Sequence, residues 1–465
     1  MHYLVLCVSL AFMIVPERAF AADAQQAMVE LQTPEPGSML TLERAIRLAL
    51  KNHPLLERAQ YAALAARAIT KQTRGERYPW LEASFSESSG SLRIVSADGR
   101  TIHDQGAHGF DPGGALPKAN QNMLTGGVIL NQLITDFGYT AHRILMNEMY
   151  EGVSDKQLLA HKAQVILNVQ RAYFTTLLHQ RLVELAASTL QARQAFRDRA
   201  ASLYRNQLKS KVDLDLLQVE VSNAEFALLG RKNDVKQQFG ALNNAMGFSV
   251  AQEYQLESTT AVVQQLPALD TLVCQGFEAR PELLGARDKF QTSEEFLTAM
   301  KALNYGSISA VGVVGASRFF DVHEGGLHND ELLPIWGGAA TIRFPLFTGF
   351  KVQNQIAEAV HHKGEDEQDL QQTLNEVTFQ IIRAYLAQVS NGEQIPVEQE
   401  RVNVAREALS LAQERYKMGL ASIVEVVQST ALVFQAESRL AELQYIYRLG
   451  DAALGYAAGQ TYQRY

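Results

Sequence analysis

Several features are scarce in this chain, and each scarcity excludes a class of protein. Two cysteines in 465 residues exclude a disulfide scaffold and a cysteine-rich metal protein. A net charge of −8 argues against a general nucleic-acid binder, which carries a basic surface. A mean hydropathy of −0.11 excludes a protein built from many membrane-spanning helices. Only 12 prolines are present, so long uninterrupted helices are possible.

Signals of catalysis and of cofactor binding are also missing. The segment Gly315-Ala316-Ser317-Arg318-Phe319 lacks the final glycine of a nucleophile elbow, and the Gly325-Gly326 loop lacks the lysine of a phosphate-binding loop. His361 and His362 are adjacent, so they do not share one helix face as paired metal ligands would. The sequence therefore predicts no catalytic residue, no cofactor and no metal site.

The N-terminal residues have the pattern of an export signal. Residues 3–15 form an apolar run that is shorter than the roughly 20 residues needed to cross a bilayer. Ala19-Phe20-Ala21 follows as a small-residue cleavage pattern. We predict a signal peptide over residues 1–21 and a linker over 22–40. A buried N-terminal helix is the alternative.

The second half of the chain repeats features of the first half at a constant offset. The offset of 212 positions separates Tyr204 from Tyr416, Leu208 from Leu420, Ser210 from Ser422, Ala224 from Ala436 and Gly247 from Gly459. This period is far longer than that of a solenoid repeat. We therefore predict structural repeats over 41–247 and 268–459, a linker over 248–267 and a tail over 460–465.

Alternating apolar and polar residues predict two strands in each half, at about 81–95 and 123–134 and at about 306–319 and 336–347. These lengths suit membrane-spanning strands, which need about 9–11 residues. Trp80 and Trp336 both fall at predicted strand starts, which fits an aromatic belt at a membrane interface. Two ordinary core tryptophans are an equally good interpretation.

Long helices are predicted after the second strand of each half, over 139–205 and 213–246 and over 350–416 and 422–457. Leu178, Leu182, Leu185, Thr189 and Ala192 show the alternating steps of four and three residues that are typical of a coiled-coil seam. Asn391-Gly392 and Pro396 predict a bend or a register change in the third of these helices. Four strands are too few to close a barrel, because about eight are needed, so we predict that several copies share one.

Four sequence motifs resemble those of the TolC-like outer membrane efflux protein family, over nearly all of the chain that follows the signal. They are Thr41-Leu42-Glu43-Arg44-Ala45 with Asn52-His53-Pro54, Gln132-Leu133-Ile134-Thr135-Asp136-Phe137-Gly138, Arg343-Phe344-Pro345-Leu346-Phe347-Thr348-Gly349, and Arg415-Tyr416-Lys417-Met418-Gly419-Leu420-Ala421-Ser422. Gly306 departs from the pattern, because a proline matching Pro79 usually stands there.

The resemblance implies a mixed α/β membrane protein with an internal structural duplication. Three copies would form a 12-stranded outer-membrane β-barrel, with four strands per chain, continuous with a long periplasmic α-helical coiled-coil barrel. The partners it implies are two further copies of this chain, outer-membrane lipid, a periplasmic adaptor (membrane fusion protein) and an inner-membrane pump of the RND, ABC or MFS type. The location it implies is the outer membrane of a Gram-negative bacterium.

The resemblance also places the periplasmic entrance at two helix turns, 204–215 and 416–428. Glu425 matches an acidic ring, whose carboxylates would attract cations and raise one another's pKa values. Gln428 is neutral where a second ring occurs, and Ala421 replaces an arginine that braces Asp213. Lys209 or Lys211 could substitute for that arginine.

The gate residues implied are Glu425, Gln428, Asp213, Asp215, Tyr416 and Tyr204. The adaptor-contacting residues implied are Leu208, Lys209, Ser210, Gly419, Leu420, Ala421 and Ser422. Solvated turn charges are the alternative for Glu425 and Asp213, and an ordinary seam residue is the alternative for Tyr416.

Together with these patterns, the resemblance implies a passive trimeric exit duct of a tripartite efflux or type I secretion system. The alternative is a periplasmic coiled-coil scaffold or adaptor without a channel. Drugs, metal ions and proteins all remain open as the exported substrate.

Overall fold

A computed structural model describes residues 37–90, 121–249, 252–258, 263–321 and 332–463. The predicted signal peptide, most of the predicted N-terminal linker and the end of the strand predicted at 81–95 lie outside the described residues. Side chains are described for these ranges except at 87–90, 121–123 and 319–321.

The first half contains four helices and four strands. In chain order they are β1 (Met39–Leu40), α1 (Leu42–Asn52), α2 (Pro54–Gly75), β2 (Trp80–Gly90), β3 (Gln121–Thr135), α3 (Tyr139–Arg205), α4 (Lys211–Ala245) and β4 (Gln255–Leu256).

The second half has the same order of helices and long strands. Its elements are α5 (Leu269–Ala279), α6 (Pro281–Ala302), a 3₁₀ turn (Leu303–Tyr305), β5 (Ser307–Asp321), β6 (Leu332–Arg343), α7 (Lys351–Lys417), α8 (Ile423–Ala457) and a 3₁₀ turn (Thr461–Gln463). In both halves the helices have 11, 22, 67 and 35 residues, in that order.

One prediction about the second half was wrong in detail. β6 lies at Leu332–Arg343 rather than 336–347, because its last pair is Arg343 with Ser307 and Pro345 then lacks the N–H that a ladder needs. Pro396, where a bend or register change is predicted, lies inside α7. The ring of a proline inside a helix crowds the carbonyl of the residue four positions earlier, which here is Gly392. Gly392 carries no side chain.

The chain divides into two compact units. The helical unit lies within Met1–Gln60, Leu158–Pro281 and Asn375–Tyr465, and the sheet unit lies within Tyr61–Gln157 and Glu282–Leu374. In the described ranges, no helix combines the length and the apolar character needed to cross a membrane.

The core of the helical unit is built around Tyr173. Its side chain is fully buried, beside the parallel pair of β1 and β4. Its hydroxyl lies 2.9 Å from the Leu40 carbonyl and accepts from the Glu257 amide at 3.0 Å. Burial raises the pKa of this phenol to about 12. The hydroxyl therefore stays protonated and ties both short strands to α3.

In the sheet unit, four antiparallel strands run in the order β2-β3-β5-β6. One row of the register joins Trp80, Asn131 and Val311 across β2, β3 and β5. In the described part of the chain, β2 and β6 each have a strand neighbour on one side only. The sheet is therefore open at both edges within one chain.

Gly306 explains the departure from the motif noted above. Its φ is +74°, which proline cannot adopt because its ring fixes φ near −65°. A Cβ at this position would also lie 3.1 Å from the Phe344 Cα and closer still to the Arg343 carbonyl oxygen. Only glycine fits where α6 passes into β5.

We expect Gly306→Ala to destabilise the protein by about 3 kcal/mol or more, because it combines backbone strain with a steric clash. Gly349→Ala is the matched control, since Gly349 has φ +60° but open space around the added methyl group. That control should cost only about 1–2 kcal/mol. The thermal unfolding midpoints of the two variants measure these losses of stability. Equal midpoints would show that the steric clash at Gly306 adds nothing to the backbone strain.

Candidate functional site

The two faces of the sheet differ in chemistry. Side chains alternate between faces along each strand, and directly paired residues share a face. One face, called here the apolar face, carries Leu81, Ala83, Phe85, Leu124, Val128, Leu130, Ile308, Ala310, Val314, Leu332, Trp336, Ala340 and Ile342, together with polar residues such as Gln132 and Arg318. Most of its large members are exposed, and Val314 reaches 68% and Trp336 82%. A soluble protein would bury such a face.

The opposite face of the sheet is more polar. It carries Trp80, Glu82, Ser84, Ser86, Thr125, Asn131, Ser307, Ser309, Ser317, Thr341 and Arg343, and between them the apolar residues Ile129, Leu133, Val311, Val313, Leu333 and Ile335. Near its Arg343 end, this polar face borders an open cavity of about 790 Å³. The sheet thus has one face that is almost entirely apolar and one face of mixed, more polar character.

The structure places the two tryptophans on opposite faces. Trp80 begins β2 on the polar face, whereas Trp336 lies on the apolar face. Trp336 is the fifth residue of β6 and not its first, so the prediction that both tryptophans open strands was wrong for Trp336. Because they lie on opposite faces, the geometry gives no support to one aromatic belt formed by both tryptophans.

The two helix turns of the helical unit have the same backbone geometry. After α3, the Leu208 amide donates to the Leu203 carbonyl at 2.9 Å, and after α7 the Leu420 amide donates to the Arg415 carbonyl at 2.8 Å. Gln207 and Gly419 take positive φ values of +59° and +75° at matching positions. Both turns are therefore Schellman-type helix ends. The next helix, α4, is capped by the Ser210 hydroxyl, which accepts from the Asp213 amide at 3.2 Å.

Tyr416 joins four helices at these turns. It is 95% buried, in a cluster whose buried members are Ala200, Leu217, Ala412, Tyr416, Ile423 and Val426 of α3, α4, α7 and α8. The Lys209 ammonium lies 4.2 Å from the centroid of its ring, which is cation–π distance. Burial and the Asp213 carboxylate raise the pKa of the Tyr416 phenol. Lys209, Tyr416 and Asp213 thus connect the α3–α4 turn to α7.

Glu425 is paired with a cation of its own chain. Its carboxylate lies 3.0 Å from the Arg415 guanidinium, which also donates to the Leu420 carbonyl at 3.5 Å. The two side chains are 38% and 45% exposed. Arg415 is a partner of Glu425 that the sequence pattern does not indicate. This pairing offsets the charge that the predicted acidic ring would carry.

The other predicted turn residues are mostly exposed. Tyr204, the counterpart of Tyr416, is 40% exposed and not in the buried cluster. Exposed polar residues include Ser210, Asp215, Ser422 and Gln428, exposed apolar residues include Leu208, Leu420 and Gly419, and Lys209 and Ala421 are half-buried. The turns therefore expose polar residues together with the two matching leucine side chains, Leu208 and Leu420.

Two apolar stripes on the helical unit were missed in the sequence. Val212, Val219 and Phe226 recur every seven residues on α4, and they are 56–80% exposed. Val397, Val404 and Leu411 recur in the same way on α7, and Met418 continues the spacing just beyond its end, at 56–70% exposure. The heptad spacing of these residues is visible in the sequence. It was overlooked because the same helices also carry the buried coiled-coil seam, which has similar spacing.

In the described ranges, no group of three or more histidine, cysteine, aspartate or glutamate residues is arranged to hold a metal ion. His362 lies instead beside Glu365, at 3.2 Å on the same helix.

Comparison with known proteins identifies the family. Residues 45–248 and 328–460 match the family model described as outer membrane efflux protein, so the chain belongs to that family. It is 24% identical over 413 residues to the solvent efflux pump outer membrane protein SrpC of Pseudomonas putida, covering 86% of this chain and 81% of that protein.

Solved structures share the fold. VceC, an outer membrane protein of Vibrio cholerae, has a TM-score of 0.73 and 19% identity, over 90% of this chain and 96% of that one. A membrane protein from Pseudomonas aeruginosa has a TM-score of 0.76 and 19% identity, over 90% of both chains. The predicted family, its outer-membrane location and its role in efflux are confirmed, as is a fold of long helices with a strand domain.

Proposed function

We propose that three copies of this chain form a passive exit duct in the outer membrane, opened at the helix turns by an adaptor and an inner-membrane pump. The observation that carries the proposal is the exposed apolar face of a sheet whose two edges are open. Such a face is stable against lipid, and such edges are stable when another chain pairs with them.

The open edges require that more than one copy share the barrel. β2 and β6 have 11 and 12 residues, long enough to pair edge to edge with a neighbouring copy. Three sheets of four strands close into twelve, above the minimum of about eight. The polar face then lines the inside, and the apolar face contacts lipid.

The stripes on α4 and α7 support the same assembly. Each is a heptad repeat of exposed apolar side chains, which is the pattern of a helix that packs on another helix. In a single chain both stripes face solvent. A second copy of this chain, placing its α7 stripe on the α4 stripe, buries both.

The helix turns are proposed as the adaptor surface and the gate. Leu208 and Leu420 are 67% and 66% exposed at matching turn positions and suit an apolar groove on an adaptor. An inner-membrane pump, of the RND, ABC or MFS type, selects the substrate and supplies the energy. The duct itself performs no covalent chemistry and is not an enzyme.

One observation argues against the alternative of a periplasmic scaffold. A periplasmic scaffold requires the helices but has no use for a sheet with an exposed apolar face.

The assembly is tested with Phe226→Glu, which places a charge in the α4 stripe. A charge buried without a partner costs several kcal/mol, so we expect the trimer to dissociate into monomers at micromolar concentration. Ala227→Glu adds the same charge about 100° around the helix and should leave the trimer intact. Light scattering of the detergent-purified proteins gives the oligomeric state. A trimeric Phe226→Glu variant, or a monomeric wild-type protein, would overturn the proposed assembly.

A further inference from the structure

The open cavity at the Arg343 end of the polar face lies entirely within the sheet unit of one chain. Its walls come from the end of α2, the turn before β2 and the adjoining ends of all four long strands. We name it the strand-base cavity, and its lining includes Tyr78, Trp80, Val311, Thr341 and Arg343. At about 790 Å³ it falls within the range of about 300–1,000 Å³ that is typical of small-molecule sites. The cavity is therefore large enough for an organic solute.

One side of the strand-base cavity is aromatic. Tyr78 and Trp80 both line it, and they are 71% and 61% exposed. Among the described residues, the Trp80 ring has no other ring and no cation stacked on it. Leu133 and Val311 give the cavity an apolar floor on the same face of the sheet. A ring system carried by a solute can therefore stack at this side.

The other side of the strand-base cavity is cationic and carries hydroxyl groups. Arg343 ends β6, is exposed and, among the described residues, forms no ion pair. Ser307 pairs with Arg343 in the register, and Ser309 pairs with Thr341, so three hydroxyls share this face with the guanidinium. A guanidinium binds a carboxylate through two parallel, charge-assisted hydrogen bonds. This side of the cavity is therefore suited to a carboxylate.

The charges around the strand-base cavity favour an anion over a cation. Glu76 is the only carboxylate among the described residues that line it, and that carboxylate lies 2.6 Å from the Arg143 guanidinium. This pairing offsets the charge of Glu76, whereas no ion pair offsets the charge of Arg343. Glu82 also lies on the polar face, but it is not among the lining residues. The charge that a solute meets in the cavity is therefore positive.

The aromatic side and the cationic side are separated along the sheet. Trp80 shares a row of the register with Val311 of β5, whereas Arg343 pairs with Ser307, four residues earlier on β5. β2 and β6 are three strand spacings apart, so the Cα atoms of Trp80 and Arg343 lie roughly 20 Å apart or less. Both side chains are long and line the same cavity. A solute that contacts both must carry its ring system at one end and its acidic group at the other.

We infer that the strand-base cavity binds amphipathic organic anions, in which an aromatic ring system is joined to a carboxylate. The ring system stacks on Trp80 and Tyr78, and the carboxylate binds the Arg343 guanidinium and the neighbouring hydroxyls. This inference rests on the proposed function, because it makes the cavity a binding site inside the duct, on the polar face along which solutes pass. In a trimer, three such cavities border one passage.

The test uses dansylglycine, an aromatic carboxylate, and dansylamide, which has the same ring system without the carboxylate. In a parent protein carrying Trp336→Phe, Trp80 is the only tryptophan left, because the chain has two. Energy transfer from Trp80 to the dansyl group then reports binding to the detergent-purified protein. Arg343→Gln removes the cation from the cavity. Lys351→Gln is the matched control, because Lys351 is exposed eight residues later in the chain but does not line the cavity.

We expect saturable energy transfer with dansylglycine, and a dissociation constant about tenfold higher in Arg343→Gln, because a charge-assisted contact is lost. Lys351→Gln should bind dansylglycine as the parent protein does. Dansylamide should bind the parent protein about as weakly as dansylglycine binds Arg343→Gln. Equal affinity of the parent protein and Arg343→Gln for dansylglycine, or equal affinity of the parent protein for both probes, would overturn the inference.

Block of the channel separates this inference from the proposed function. In planar bilayers, dansylglycine should block the parent channel at a concentration about tenfold lower than it needs for Arg343→Gln, in line with the two affinities. A parent protein that conducts, but shows neither block nor energy transfer, is a duct without this binding site, so only the inference fails. If the parent protein never conducts, the proposed function fails, and the inference that depends on it fails with it.

Discussion

Replacing Arg415 with glutamine is expected to raise the cation preference of the duct about tenfold. The substitution leaves Glu425 without the guanidinium that now lies 3.0 Å from it. An uncompensated charge at a partly exposed site contributes about 1 kcal/mol or more, and 1.4 kcal/mol is tenfold. In a trimer, three such carboxylates act on the same ion.

Glu425→Gln should shift the preference in the opposite direction, because it leaves Arg415 unpaired. Reversal potentials in a salt gradient across a planar bilayer measure both effects. Arg439→Gln is the matched control: its pair with Glu442 is 3.3 Å long, and its side chains have exposures of 46% and 38%, nearly those of the entrance pair. A cation preference that is equal in Arg415→Gln and Arg439→Gln would show that Glu425 does not face the permeating ion.

Replacing Lys209 with methionine is expected to loosen the helix turns and raise the open probability of the channel about 3- to 30-fold. The reason is the loss of a cation–π contact worth about 0.5–2 kcal/mol. That contact holds the α3–α4 turn on the Tyr416 ring of α7. Methionine keeps most of the apolar stem, so packing changes little.

Lys211→Met is the control for this substitution, since Lys211 is exposed at the same turn. A double-mutant cycle with Tyr416→Leu isolates the pair, because Lys209→Met should have no added effect once the ring is gone. Single-channel recordings give the open probability of each variant. An equal effect in both backgrounds would mean that Lys209 acts elsewhere.

Much of the helical architecture could be predicted from local patterns. The proline-free stretch and its coiled-coil steps occupy the helix Tyr139–Arg205. Pro54 and Pro281 each begin a helix. Pro396 instead lies inside α7, because a helix of 67 residues can lose one backbone hydrogen bond and continue on both sides.

The surfaces were harder to predict, because they depend on register between distant segments. Alternation alone assigns Trp80 and Trp336 to a face only within their own strands. Pairing of Trp80 with Asn131 and of Trp336 with Val314 then places them on opposite faces. The positive φ of Phe137 and of Phe350 has no signal in the sequence, since glycine is the usual residue in that conformation.

The candidate entrance was predicted in part. The turns and Tyr416 were found from the repeat and the resemblance. Arg415 was not, because its contact with Glu425 depends on the hairpin geometry that brings the end of α7 to the start of α8. Lys209, one of the two lysines considered as a partner of Asp213, lies over the Tyr416 ring, a contact that depends on how the turn packs on α7 and that the sequence does not indicate.

We propose that three copies of this chain form a conducting duct through the outer membrane. Single-channel conductance of the detergent-purified protein in a planar bilayer tests this proposal, with Phe226→Glu measured beside it. We expect discrete conductance steps from the wild-type protein and none from the monomeric variant. A protein that fractionates without detergent and never conducts would contradict the duct and support a periplasmic scaffold.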